Sequence, residues 1–116
     1  MPYEGSCHCG AVAFTVDAPV PTEANSCNCS HCRRKGFLLS FVPEDAFRLT
    51  QGGDNLQSYR FHSNRIEHMF CTACGTQPFA RGALPDGTPT RAINLRCVPS
   101  IDLDGLQIRR VDGASY

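Results

Sequence analysis

The sequence predicts a mainly β protein of short antiparallel strands, and three observations carry that expectation. Apolar residues recur at alternate positions over short stretches, as at Val12, Phe14 and Val16, which marks a strand with one buried face. Clusters rich in Gly, Pro and Asp punctuate those stretches. Sustained helical periodicity is almost absent, so the chain has little material for long helices. At 116 residues the chain, residues 1–116, is expected to fold as one domain, because a chain of this size buries roughly two thirds of its unfolded surface and leaves little for a second core.

Taken in order, residues 11–16 read as the first half-buried strand, closed by Asp17-Ala18-Pro19-Val20-Pro21. Thr22 to Ser26 form a short strand, after which Ser30 is placed to cap one helical turn through Lys35, with Gly36 as its stop. Phe37 to Val42 is an apolar run ended by Pro43, and Phe47 to Thr50 is a second strand ended by Gly52-Gly53. Leu56–Phe61 and Ile66–Phe70 pair around a turn at His62-Ser63-Asn64-Arg65. After a turn at Pro85-Asp86-Gly87-Thr88, residues 91–97 make a strand, and Asp104-Gly105 turns into a last alternating strand at 106–111.

Charge and composition exclude several classes of function. Eleven basic residues balance eleven acidic ones, so no global field draws the protein to nucleic acid or to an anionic membrane. No segment approaches the ~20 apolar residues of a membrane helix, and the first residues, Met1-Pro2-Tyr3-Glu4-Gly5-Ser6, lack the basic and apolar regions of a secretion signal. A soluble cytoplasmic protein is expected. In a reducing compartment eight cysteines indicate metal or catalysis rather than disulfides.

Their spacing supports metal. Seven of the eight fall in Cys7-His8-Cys9, Cys27-Asn28-Cys29-Ser30-His31-Cys32 and Cys71-Thr72-Ala73-Cys74-Gly75, the short knuckles that present sulfur to tetrahedral zinc. Two zinc ions per chain are expected. Cys7, Cys9, Cys71 and Cys74 give four sulfurs from two distant segments, which suits a closed structural site. Cys27, Cys29 and Cys32 give three, the count that leaves a coordination position for water or substrate. Three thiolates on a dication leave a net charge of minus one, so strong activation of water is disfavoured and a thiol substrate, taken as its thiolate, fits better. Arg33, Arg34 and Lys35 are candidates to hold the carboxylates of an acidic thiol, with a solvated basic face as the alternative. Cys97, outside any knuckle, reads as a partly buried free thiol. Were it a fourth ligand, it would close the three-sulfur site. His31 has three readings, as a zinc ligand, a proton carrier or a cap for the loop, and its place between two ligands puts it outside the metal's first coordination shell; His8 is open to the same three readings. His62 and His68 read as a turn residue and a strand residue.

Gly5-Ser6-Cys7-His8-Cys9-Gly10-Ala11-Val12, Cys27-Asn28-Cys29-Ser30-His31-Cys32-Arg33 and Phe70-Cys71-Thr72-Ala73-Cys74-Gly75-Thr76 together resemble the glutathione-dependent formaldehyde-activating enzyme family, also called centromere protein V-like. The resemblance covers nearly the whole chain. It implies an Mss4-like fold of short coiled antiparallel sheets with zinc knuckles. It also implies a structural zinc at Cys7, Cys9, Cys71 and Cys74, and a catalytic-type zinc at Cys27, Cys29 and Cys32. The implied chemistry is that of a carbon-sulfur lyase acting on an adduct of glutathione, or another small thiol, with an aldehyde. The alternative from another class is a non-catalytic zinc module that binds a protein or nucleic acid.

Overall fold

Tight turns and alternating apolar positions leave the chain in ten short strands and one short helix among the described residues, which are 2–60 and 66–112 of a computed structural model. The strands are β1 (Tyr3–Ser6), β2 (Ala13–Val16), β3 (Glu23–Cys27), β4 (Leu39–Pro43), β5 (Phe47–Gln51) and β6 (Leu56–Tyr59). They continue with β7 (Glu67–Cys71), β8 (Phe79–Ala83), β9 (Pro89–Asn94) and β10 (Gln107–Val111), while the helix α1 (Ser30–Lys35) lies between β3 and β4. Two sheets result, one in the order β1-β2-β5 and the other β10-β3-β4-β9-β8-β7-β6.

All pairings are antiparallel except that of β10 with β3, which run parallel with Val111 opposite Cys27. This one parallel pair sits within the mainly antiparallel fold the sequence predicts, and the long connection from β3 to β10 is what permits it. The β1 and β8 strands are absent from the sequence reading. In β1 only Tyr3 and Gly5 are buried, and β8 carries Ala80, Gly82 and Ala83, residues with weak strand signals. The strand expected at 91–97 instead ends at Asn94. There the Asn94 side chain accepts a hydrogen bond from the Arg96 N–H (3.2 Å) and bends residues 95–97 into a 3-10 turn. The apolar run from Phe37 pairs only from Leu39 onward. The β6–β7 hairpin forms, but its turn at His62–Arg65 and the expected strand end at Phe61 lie outside the described residues.

The sheets pack face to face through Phe14, Phe47 and Phe79, with Phe14 stacked on Phe47 at 5.4 Å and Phe47 tilted on Phe79 at 4.6 Å. Tyr3, Val16, Val42, Ile93 and Leu95 complete this core. Each such side chain contributes on the order of 1.5–3 kcal/mol of burial free energy. Because successive side chains alternate across a strand, Phe79, Ile93 and Val42 face the core while Ala80, Ala92 and Phe41 face the other way. That second face of the seven-stranded sheet carries the site.

Candidate metal centres and the adjoining cavity

Two cysteine groups form, as the spacing anticipates. The Sγ atoms of Cys7, Cys9, Cys71 and Cys74 lie within 4.8 Å of one another, and so do those of Cys27, Cys29 and Cys32. Among the described residues no histidine or carboxylate joins either group.

The four-sulfur group sits where the two sheets meet. Cys7 and Cys9 follow β1, while Cys71 ends β7 and Cys74 lies in the turn beyond it, closed by Gly75 at φ 81°. That left-handed backbone is one glycine adopts without penalty. Cys7 Sγ is 3.6 Å from Cys9 Sγ, which is 3.7 Å from Cys71 Sγ. Zinc-sulfur bonds of about 2.3 Å in a tetrahedron require sulfur-sulfur edges of about 3.8 Å, so the cage fits such an ion. Cys7 Sγ also accepts the Val12 N–H at 3.3 Å. Hydrogen bonding from Thr76 pulls the Cys74 thiol down to about 5. The Ala11 N–H favours the Cys9 thiolate, but Cys7 and its neighbours outweigh it and push that thiol up to about 11. Four thiolates this close repel one another, and a bound dication removes the conflict.

The three-sulfur group is built on the start of α1. Cys29 rather than the expected Ser30 is the N-cap, its sulfur accepting the Cys32 N–H at 3.3 Å. Cys27 Sγ likewise accepts the Cys29 N–H at 3.4 Å. Gly36, at φ 70°, ends the helix with its N–H on Cys32 O (2.9 Å). Burial pushes the Cys32 thiol up, and Cys29 adds to this. For Cys29, burial also opposes ionisation, but the Cys32 N–H and thiol outweigh it and lower the group. The donor set suits a soft dication with one position left over.

Cys97 joins neither group. It is buried, its thiol 3.9 Å from Gln77 O, and burial pushes it up to about 11. Its sulfur lies outside both sets of mutually close sulfurs. The sequence expectation of a free thiol holds, and the alternative in which it closes the three-sulfur site does not. His31 stays outside the ligand set; its ring packs 4.2 Å from His68 and stacks on Tyr59 at 5.6 Å. Arg33, Arg34 and Lys35 are exposed on α1 and do not line the cavity, Arg34 donating to Ser30 O at 2.8 Å. The solvated-face alternative is the one the structure supports for these three.

A cavity of about 770 Å³ opens beside the three-sulfur group, with Cys27, Cys29 and Cys32 in its wall. It lies over the outer face of the seven-stranded sheet. Small residues on the central strands, Ala80 and Gly82 of β8 and Thr90 and Ala92 of β9, make room for it. Phe37, Phe41, Ile66 and Leu84 stand around it. The sequence reading missed His68 and Gln77 as cavity residues. Burial and the nearby His31 hold His68 down to about 4, so its imidazole is neutral at pH 7. Gln77 is 7 % exposed, and its Oε1 is buried with no hydrogen-bond partner. A polar residue two positions before a buried Phe79 was the available signal for Gln77; His68 had only its place in an alternating strand.

Known proteins share both sequence and shape with this chain. A Halomonas elongata protein, provisionally named a glutathione-dependent formaldehyde-activating enzyme, is 32 % identical over 84 residues, 66 % of this chain and 54 % of that protein. The chain thus spans about half the length of that curated relative. A crystal structure of a Rhodobacter sphaeroides protein superimposes with a TM-score of 0.80 at 26 % identity, covering 93 % of this chain and 99 % of that one. The family model described as glutathione-dependent formaldehyde-activating enzyme matches residues 2–99, which contain both cysteine groups and every strand but β10. The chain therefore belongs to the glutathione-dependent formaldehyde-activating enzyme family.

Proposed function

We propose that the chain is a zinc-dependent enzyme that joins a small thiol to an aldehyde and runs the same path in reverse, which makes it a carbon-sulfur lyase. One observation carries the reading: the three-sulfur group, one ligand short of a tetrahedron, stands in the wall of a ligand-sized cavity, while the four-sulfur group does not. Bound at Cys27, Cys29 and Cys32, zinc would supply a soft position that favours the thiolate form of a substrate sulfur. The chain's own residues do the rest. The N–H groups of Cys29 and Cys32 share the negative charge of the sulfurs. The apolar wall excludes water that would compete with the thiol, and His68 lines the same space as a neutral imidazole. A four-sulfur zinc at Cys7, Cys9, Cys71 and Cys74 would hold the two sheets together.

Glutathione and formaldehyde are the substrate pair the family name suggests. Thiol-dependent aldehyde consumption, followed with glutathione and other thiols for wild type and Cys29→Ser, tests the reaction. Acceleration over the spontaneous reaction that needs zinc and disappears in Cys29→Ser is expected. No acceleration with any thiol sinks the enzyme, and activity surviving in Cys29→Ser sinks this use of the site.

The second reading, a non-catalytic module for a protein partner, is favoured by the apolar rim, where Phe41, Leu84 and Ile66 are 58 %, 50 % and 49 % exposed. It would require a partner whose binding is abolished by Phe41→Glu while no thiol or aldehyde is consumed.

A further inference from the structure

The cavity is a poor match to glutathione and formaldehyde themselves. Formaldehyde brings a single carbon, and glutathione brings two carboxylates and an ammonium. Among the described residues, the cavity lining holds a single cationic residue for the two carboxylates. Arg81 borders it, but strand alternation sends its side chain to the core face with Phe79 and Arg91, its register partner, whose guanidinium lies 5.9 Å from the Phe47 ring centroid. What does face the space is a floor of Ala80, Gly82 and Ala92 under walls of Phe37, Phe41 and Leu84. Burying charged groups there without partners would be costly, whereas an aliphatic or aromatic group gains from it.

We propose that the substrate of this site is a thiol-aldehyde adduct with an apolar body, one hydrophobic group of which lies on the small-residue floor. This rests on the thiol-aldehyde chemistry proposed above. In the forming direction the sulfur attacks the carbonyl carbon, making the C–S bond. The carbonyl π pair moves to oxygen, and the proton released by the thiol ends on that oxygen; nothing is oxidised or reduced. The apolar group can belong to either half of the adduct.

The test uses zinc-loaded full-length protein in two arms. Calorimetric titration compares benzyl mercaptan and hexanethiol with glutathione, and turnover compares benzaldehyde and hexanal with formaldehyde at a fixed thiol. The expected result is a preference of about tenfold or more for the apolar member in at least one arm, the scale a hydrophobic pocket gives for a few buried carbons. The preferring arm identifies which half carries the group. Ala92→Phe, which fills the floor, should remove that preference without changing zinc content. Thr90→Leu is the second variant should Ala92→Phe fail to fold. Glutathione and formaldehyde performing as well as the apolar partners overturns the proposal while leaving the reaction standing. An unchanged apolar preference in the filled variants also overturns it. Apolar thiols that bind tightly with no turnover of any pair support the cavity assignment and defeat the reaction instead.

Discussion

Cys29 and Cys97 are both thiols, yet their neighbours give them opposite consequences on substitution. Cys29 belongs to the three-sulfur group, whereas Cys97 is buried apart from both groups. Cys97→Ser should retain two zinc ions per chain, and Cys29→Ser should fold but hold one, as measured by elemental analysis after gel filtration. Two zinc ions in Cys29→Ser would remove that residue from the metal set. His68 gives a pH-dependent outcome. Its ordinary value near 6.5 is lowered to about 4 in the folded chain, so between those values the unfolded chain binds the extra proton. Its contribution to stability is therefore complete above about pH 6.5 and is lost as pH falls towards 4. Under zinc saturation, the urea midpoint of His68→Leu should fall less than that of wild type across this window. Parallel profiles would show that the buried imidazole carries none of the effect.

At the level of elements, the short helix shows how closely spaced residues shape a site. Its cap is a ligand sulfur, and its stop is Gly36 in the left-handed region. Gly36→Ala adds no steric contact but forces a side chain into that backbone, at a cost of about 1 kcal/mol. A urea midpoint shifted down by that amount is expected, with weaker metal retention at Cys32, whose carbonyl the Gly36 N–H holds. An unchanged midpoint would mean the helix end relaxes freely. This helix was legible in the sequence because its start, its three ligands and its stop lie within ten residues of one another. The alternating strands β2 and β10 were legible for the same local reason. What was hidden depends on distant partners: β8 is a strand because β7 and β9 flank it, and the cavity exists because Ala80 and Ala92 come side by side across two strands. Capping by Cys29 instead of Ser30 was also hidden, since either side chain can accept the same N–H.

For the whole molecule, the two cysteine groups differ in what they connect. The three-sulfur group is drawn from residues 27–32, while the four-sulfur group ties β1, in one sheet, to β7, in the other. Structural zinc contributes about 10–16 kcal/mol in small zinc peptides, as much as the entire net stability of many domains. A graded chelator series should therefore release one zinc with the far-ultraviolet circular dichroism intact, then the second together with loss of structure. Cys74→Ser should give insoluble protein where Cys29→Ser does not. Release of both ions in one step, or equal solubility of the two variants, would contradict the division of roles.

The parallel strand β10 closes one end of the seven-stranded sheet and presents Arg109 and Arg110 side by side on its exposed edge. Neighbouring residues of a strand point to opposite faces, so one guanidinium guards each side. A strand arriving from another molecule would have to lay a positive charge against its own surface in whichever register it docked. Among the described residues, β10 thus closes its edge of the seven-stranded sheet with charge on both faces, which disfavours pairing with a copy of the chain along that edge.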